Sequence, residues 1–365
     1  MIASPAPAHE LLVYVGTYTR TTSKGIYVGR FDPATGKLAP LTVAAEMTNP
    51  SFLAVSSDRR HLYAVSEGAG VEFNGQPSGV VNAFALAPAD GRLTLINAQP
   101  SAGKAPCHIA TTPDDQAVLV ANYGSGTVSL LPVRADGGLD APSSVDQHEG
   151  RGVHPDRQKH PFAHSINPSA DGRFAYAADL GTDEIYIYRV NTAAGTLAAA
   201  EPASVRLAPG SGPRHLALSS DARRAYVINE LANALTTFAV DTRTGVLTAL
   251  QTVPTLPADF TGANTTAEVA VHPNGRFLYG SNRGHDSIVV FKVDPSEGTL
   301  TLVEHVSTQG RNPRHFAIDP GGRWLIAANQ DGNSLVVFAV DIETGRLTPT
   351  GQTIELGTPV CVRFY

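Results

Sequence analysis

The sequence predicts an all-β fold, a seven-bladed β-propeller with four antiparallel strands per blade. Three observations predict it: a Gly-x-Leu signature that recurs seven times, a second turn signature midway between its copies, and termini that each hold part of one blade. The 34 glycines and 26 prolines, without long helical periodicity, fit many short strands joined by turns.

The first signature falls at Gly36-x-Leu38, Gly91-x-Leu93, Gly137-x-Leu139, Gly195-x-Leu197, Gly245-x-Leu247, Gly298-x-Leu300 and Gly345-x-Leu347, 46 to 58 residues apart. An aspartate stands four residues before several of these glycines, as at Asp241, Asp294 and Asp341. Such a turn joins two strands, with glycine free to take positive φ. Between the copies, Asp171-Gly172 and Asn274-Gly275 separate alternating apolar runs, the pattern of a two-residue hairpin. Two turns per repeat, with the links between them, make four strands. After the last full repeat only Pro359 to Tyr365 remains, a lone inner strand. The N-terminus supplies three more over 11–18, 25–31 and 37–44. Joining the two completes a blade and removes the edge that an open array would expose. Residues 1–365 therefore read as a single propeller domain, with 1–10 expected to be a flexible segment.

Apolar residues make up 42% of the chain and charged residues 16%, which fits a packed core and not disorder. The net charge of −6 argues against nucleic-acid binding through bulk charge. No apolar run approaches the ~18 residues of a membrane helix. Met1 to Glu10 lacks the basic and apolar regions of a signal peptide. Cys107 and Cys361 are too few for a disulfide framework. A cytoplasmic protein without membrane or nucleic-acid partners is expected; protein partners are left open.

Aligning the repeats separates shared residues from individual ones. One position reads Asn122, Asp179, Asn229, Asn282 and Asn329, a ring of side chains suited to satisfying turn backbone. The next residue varies: Glu67, Tyr123, Leu180, Glu230, Arg283 and Gln330. The inner strand begins with Ser51, Cys107, His164, Arg214, Ala267, Arg314 and Val360. Its second position reads Phe52, His108, Ser165, His215, Glu268, His315 and Cys361. All these positions are expected at one mouth of the central channel. His164, Arg214, His215, Glu230, Glu268, Arg283, Arg314 and His315 fall in four consecutive repeats, so the repeat alone does not require them. Arginines converging in an acidic chain point to an anionic ligand. The polar insertion at 146–160 ends at the same mouth, and long loops in compact folds are often functional. His148, His154, His160 and His164 match no familiar metal spacing, so neither metal nor cofactor is expected.

At these residues the sequence resembles the propeller-type lactonase family, which includes 6-phosphogluconolactonases and carboxy-cis,cis-muconate cyclases. The resemblance covers nearly the whole chain. It is carried by Ala163-His164-Ser165, by Gly212-Pro213-Arg214-His215, by Asn229-Glu230-Leu231, by Ala267-Glu268-Val269 and by Ser281-Asn282-Arg283-Gly284. It implies a catalytic set of His164, Arg214, Glu230 and Arg283. Phe162 departs from the family pattern, which has a histidine there. The resemblance also implies a carboxylic ester hydrolase acting on a small anionic sugar lactone. 6-Phospho-D-glucono-1,5-lactone, a pentose phosphate pathway intermediate, is the foremost candidate. Glu230 or His164 would serve as general base and the arginines as oxyanion or phosphate contacts, with Glu268, His215, Arg314 and His315 binding substrate. No Gly-x-Ser-x-Gly elbow is present, against a serine hydrolase. A lactone-forming cyclase and a non-catalytic scaffold propeller are the alternatives; the ionic mouth argues against the scaffold.

Overall fold

The computed structural model describes residues 10–365, and the expected flexible N-terminal segment falls on residues outside that range save Glu10. Among the described residues every regular element is a strand. None is a helix long and apolar enough to cross a membrane. Six four-stranded antiparallel sheets span 53–100, 106–147, 163–206, 213–254, 265–307 and 313–355, here blades two to seven. Blade one is the closure. Pro359–Phe364 pairs with Leu11–Thr17, which pairs with Gly25–Asp32. The outer strand of this blade is split into Lys37–Leu38 and Thr42–Glu46. Pro40, which has no N–H for the ladder, lies in the gap. The register runs from Val13 opposite Phe364 to Thr17 opposite Pro359, as ring closure requires.

The turn signatures have a physical basis in the contacts between blades. All seven signature glycines take positive φ, between 64° and 81°. Tyrosines of adjacent blades hold these turns in place: the hydroxyls of Tyr14, Tyr63 and Tyr279 donate to the carbonyls of Gly91, Gly137 and Gly345 at 2.8, 3.1 and 2.8 Å. Apolar faces fill the wedges between blades. Phe174, Ile187, Leu216, Val227 and Phe238 pack between blades four and five, and Phe277, Val290, Phe316, Ala327 and Phe338 between six and seven. Each large side chain so buried contributes roughly 1.5–3 kcal/mol.

Two local expectations are corrected. The Asp171-Gly172 and Asn274-Gly275 turns are longer than two-residue hairpins: Ser169 N–H reaches Phe174 O and His272 N–H reaches Phe277 O. Only the glycine of each pair takes positive φ, whereas a type I′ turn needs both residues there. The tight two-residue turn occurs instead at Asn74-Gly75, with φ of 51° and 75°. It joins His61–Phe73 to Gln76–Leu86, a hairpin that runs on past Glu67.

What aims side chains into the channel is a bulge repeated in the inner strands. Ala163 opposes Asp179 while Ser165 opposes Ala178, so His164 has no partner residue. Arg214, between Pro213 opposite Asn229 and His215 opposite Ile228, is bulged in the same way, as is Arg314 in blade seven. Cys107 and Val360 occupy equivalent positions, and blade six skips past Ala267 and Glu268. A bulge re-aims the extra side chain and ends regular pairing. The ring of shared Asn residues lies beside it. Asn122, Asn282 and Asn329 donate to the carbonyls of Ser101, Thr255 and Thr308 at 3.0, 2.9 and 3.1 Å. Asp179 accepts from the N–H groups of Phe162, Gly181 and Thr182.

Candidate active site

A cavity of about 310 Å³ opens at the channel mouth. Of the residues singled out in sequence, His164, Glu230, Arg283 and Arg314 stand on its wall. Arg214 lies behind them, 2% exposed. Its Nη1 donates to Ala267 O at 2.7 Å, and its Nε is 3.0 Å from Glu230 Oε2, an ion-pair contact outside hydrogen-bond alignment. Arg283 Nη2 donates to Thr266 O at 2.8 Å and lies 2.9 Å from the same carboxylate oxygen. The other oxygen, Oε1, accepts a hydrogen bond from Arg157 Nη2. One buried carboxylate thus gathers three guanidiniums from three segments of the chain.

His215, Glu268 and His315 do not reach this cavity. They form a layer deeper in the channel, where His215 Nδ1 and His315 Nε2 lie 2.9 and 3.2 Å from Glu268 Oε2. His215 and Glu268 line a second cavity, of about 450 Å³, among the inner strands of blades five to seven. The expectation that both leading positions open on one mouth therefore fails for His215, Glu268 and His315 of the second, and for the first it holds at Cys107, His164 and Arg314, with Arg214 set behind them. An inner strand advances ~3.3 Å per residue along the channel, so the second position sits a layer below. Val362 N–H points at His315 Nδ1, which leaves the proton on Nε2, facing Glu268.

Sequence reasoning missed Arg157, Tyr18 and Arg20, all on the cavity wall. The insertion stands out in sequence as a long polar loop, but nothing repeated marks which of its residues reaches the cavity wall. Its histidines are engaged elsewhere. His148 contacts Asp179 Oδ2 at 2.7 Å and Tyr188 OH at 2.9 Å, and His154 Nδ1 accepts from the N–H groups of Asp156 and Arg157. Phe162 packs between His160 and Tyr123, the latter on the cavity wall, with ring centroids 4.0 and 4.7 Å away.

The charges set what each group can do. Burial raises the Glu230 carboxyl, but Arg283, Arg214 and Arg157 outweigh it and hold the pKa down at about 2. Burial, then Arg214, His215 and Arg314, pushes the His164 imidazole well below its usual 6.5, so it is neutral at physiological pH. Burial pushes the Cys107 thiol up to about 12. It is therefore no thiolate nucleophile, although its Sγ lies 3.8 Å from His164 Nδ1. Arg214 is pushed down to about 9, by burial first and then by Arg314 and Arg283, and remains a cation at neutral pH.

Comparison with known proteins agrees with this ring. The profile of the family described as lactonase, 7-bladed beta-propeller, matches residues 12–364. A 6-phosphogluconolactonase of Bacillus subtilis is 38% identical over 351 residues, covering 96% of this chain and 97% of the relative. One from Formosa agariphila is 32% identical over 314 residues, covering 83% of this chain and 85% of its own length. The solved structure of the Pseudomonas aeruginosa periplasmic gluconolactonase superposes with a TM-score of 0.91 at 39% identity, over 98% of this chain and 99% of that one. The class so defined is a hydrolase of cyclic esters built on a propeller. The chain belongs to the seven-bladed β-propeller lactonase family.

Proposed function

We propose that the chain hydrolyses a sugar δ-lactone, with 6-phospho-D-glucono-1,5-lactone as substrate and 6-phosphogluconate as product. The observation that carries this reading is the charge of the cavity wall. Among the described residues the wall carries four arginines, Arg20, Arg157, Arg283 and Arg314, against two carboxylates, Glu67 and Glu230, in a chain of net charge −6. Two relatives bearing the name 6-phosphogluconolactonase support the choice of lactone.

Hydrolysis forms one C–O bond from water to the lactone carbonyl carbon and breaks the ring C–O bond. His164, neutral and on the wall, takes the proton from the attacking water and returns it to the departing ring oxygen. Glu230 is ill suited to that task, because its three arginines hold it ionised down to about pH 2. Its part is to fix the guanidiniums. Arg283 faces the negative charge that develops on the carbonyl oxygen, while Arg214 acts from behind through Glu230. A cyclic ester is activated enough for this set to suffice without a covalent nucleophile. We place the reaction in the cytoplasm on the two buried free thiols, Cys107 and Cys361; cell fractionation with the protein in an extracytoplasmic fraction would overturn that placement.

The test generates the phosphorylated lactone in situ by oxidising glucose 6-phosphate at C1. Its decay is then followed with and without protein. Acceleration above the spontaneous rate is expected. No acceleration, with turnover of a muconolactone instead, would move the assignment to a lactone-forming cyclase.

A further inference from the structure

We propose that Tyr18, Arg20 and Arg314 form an anion subsite at the mouth that takes the phosphate of the sugar lactone, while its carbonyl lies against His164 and Arg283. This rests on the lactonase reading above and adds where each end of the substrate sits. The arginines of the mouth fall into two groups. Arg157, Arg214 and Arg283 share Glu230. Arg20 and Arg314 do not: among the described residues neither makes an ion pair with a carboxylate, and Arg314 donates no hydrogen bond. Both instead lie over one aromatic ring, the Arg20 and Arg314 guanidinium carbons 4.3 and 5.4 Å from the Tyr18 centroid.

That ring is firmly held. Tyr18 N–H donates to Thr358 O at 3.0 Å, its hydroxyl donates to Glu67 Oε2 at 2.9 Å, and the next N–H, of Thr19, donates to Asn49 Oδ1 at 2.8 Å. Both guanidiniums stand on the cavity wall beside this fixed ring with their donors unspent, so an anion entering there meets two cations against the single carboxylate of Glu67. A phosphate monoester carries close to two negative charges at neutral pH and three acceptor oxygens, and so matches two arginines. A developing carbonyl oxyanion has a single charge and fits the partly neutralised Glu230 group. The two groups occupy different sectors of the ring. Tyr18, Arg20 and Arg314 come from blades one and seven, and Glu230 and Arg283 from blades five and six. Gln330, of blade seven like Arg314, adds a neutral polar side chain to the same wall.

Steady-state kinetics of Arg314→Met and Arg20→Met on the phosphorylated lactone and on glucono-1,5-lactone test the subsite. For Arg314→Met, the ratio of kcat/KM for phosphorylated over unphosphorylated lactone is expected to fall about tenfold or more, mainly through KM. Exposed Arg20 gives a smaller change in the same direction, and carries the test if Arg314→Met fails to fold. Equal losses on both lactones would overturn the subsite. Calorimetry with 6-phosphogluconate and gluconate needs no turnover. If the wild type hydrolyses neither lactone, the lactonase reading fails, whereas the subsite still predicts tighter binding of the phosphorylated acid and loss of that difference in Arg314→Met. Wild-type binding that ignores the phosphate would overturn it.

Discussion

Around the mouth, ionisable side chains differ less in type than in what their neighbours leave them able to do. His164 and Glu230 are both candidate bases in sequence, yet three guanidiniums have claimed the carboxylate and none has claimed the imidazole. A base works in its unprotonated form, so its activity is present above its pKa and lost as pH falls through it. Because the His164 pKa is depressed, kcat/KM corrected for spontaneous hydrolysis should stay level from pH 8 to below 6.5 and fall only in more acid solution. An acid limb at or above 6.5 would remove His164 from the base role. His164→Ala should cost about 10²–10⁴ in kcat. That His164 breaks the repeat was legible in the sequence. Its protonation state was not, since that depends on Arg214 and Arg314, which lie far along the chain and come close only through folding.

The insertion before blade four shows the same division at the level of an element. Polar composition marks it in sequence, but its shape is set by two buried anchors. His148 stacks on Tyr186 with centroids 3.7 Å apart and contacts Asp179. Gln158, fully buried, accepts from the N–H groups of Val153 and His154 and donates to Leu180 O and Asp183 Oδ1. Asp183 in turn accepts from the N–H groups of Gly210 and Gly212, which set the entry to Arg214. Gln158→Ala should therefore free Arg157 from its place over the mouth. KM is expected to rise several-fold with a smaller change in kcat, stability to fall by about 1–3 kcal/mol, and protease to cut within 149–159. An unchanged KM in a demonstrably loosened loop would show that Arg157 does not touch substrate.

For the molecule as a whole, the ring depends on one short strand. Pro359–Phe364 is the inner strand of blade one, and Val360, Cys361 and Val362 are buried there. Removing residues 359–365 exposes the edge of Leu11–Thr17 and opens the channel wall beside Phe52, on which Arg363 stacks at 4.6 Å. The truncated chain is expected to lose its sharp melting transition and to aggregate, as scanning calorimetry and gel filtration would reveal. Melting within about 2 °C of the full chain would mean that the other six blades hold the ring without closure.

The sequence by itself determined the strand content, the number of blades, the way the ends meet and the sector that breaks the repeat. Those features are periodic or local: a Gly-x-Leu turn every fifty residues or so, an unpaired strand at Pro359, an arginine where other repeats have none. Only the tertiary structure decided depth and pairing. It put Arg314 at the mouth and His315, one residue later, in the layer below, because the bulge re-aims the first and the strand carries the second inward. It brought Arg157 from an unrepeated loop onto Glu230 and set Arg20 and Arg314 over Tyr18. A channel is the meeting of seven inner strands distant in sequence, and what meets there is fixed by how the blades pack around it.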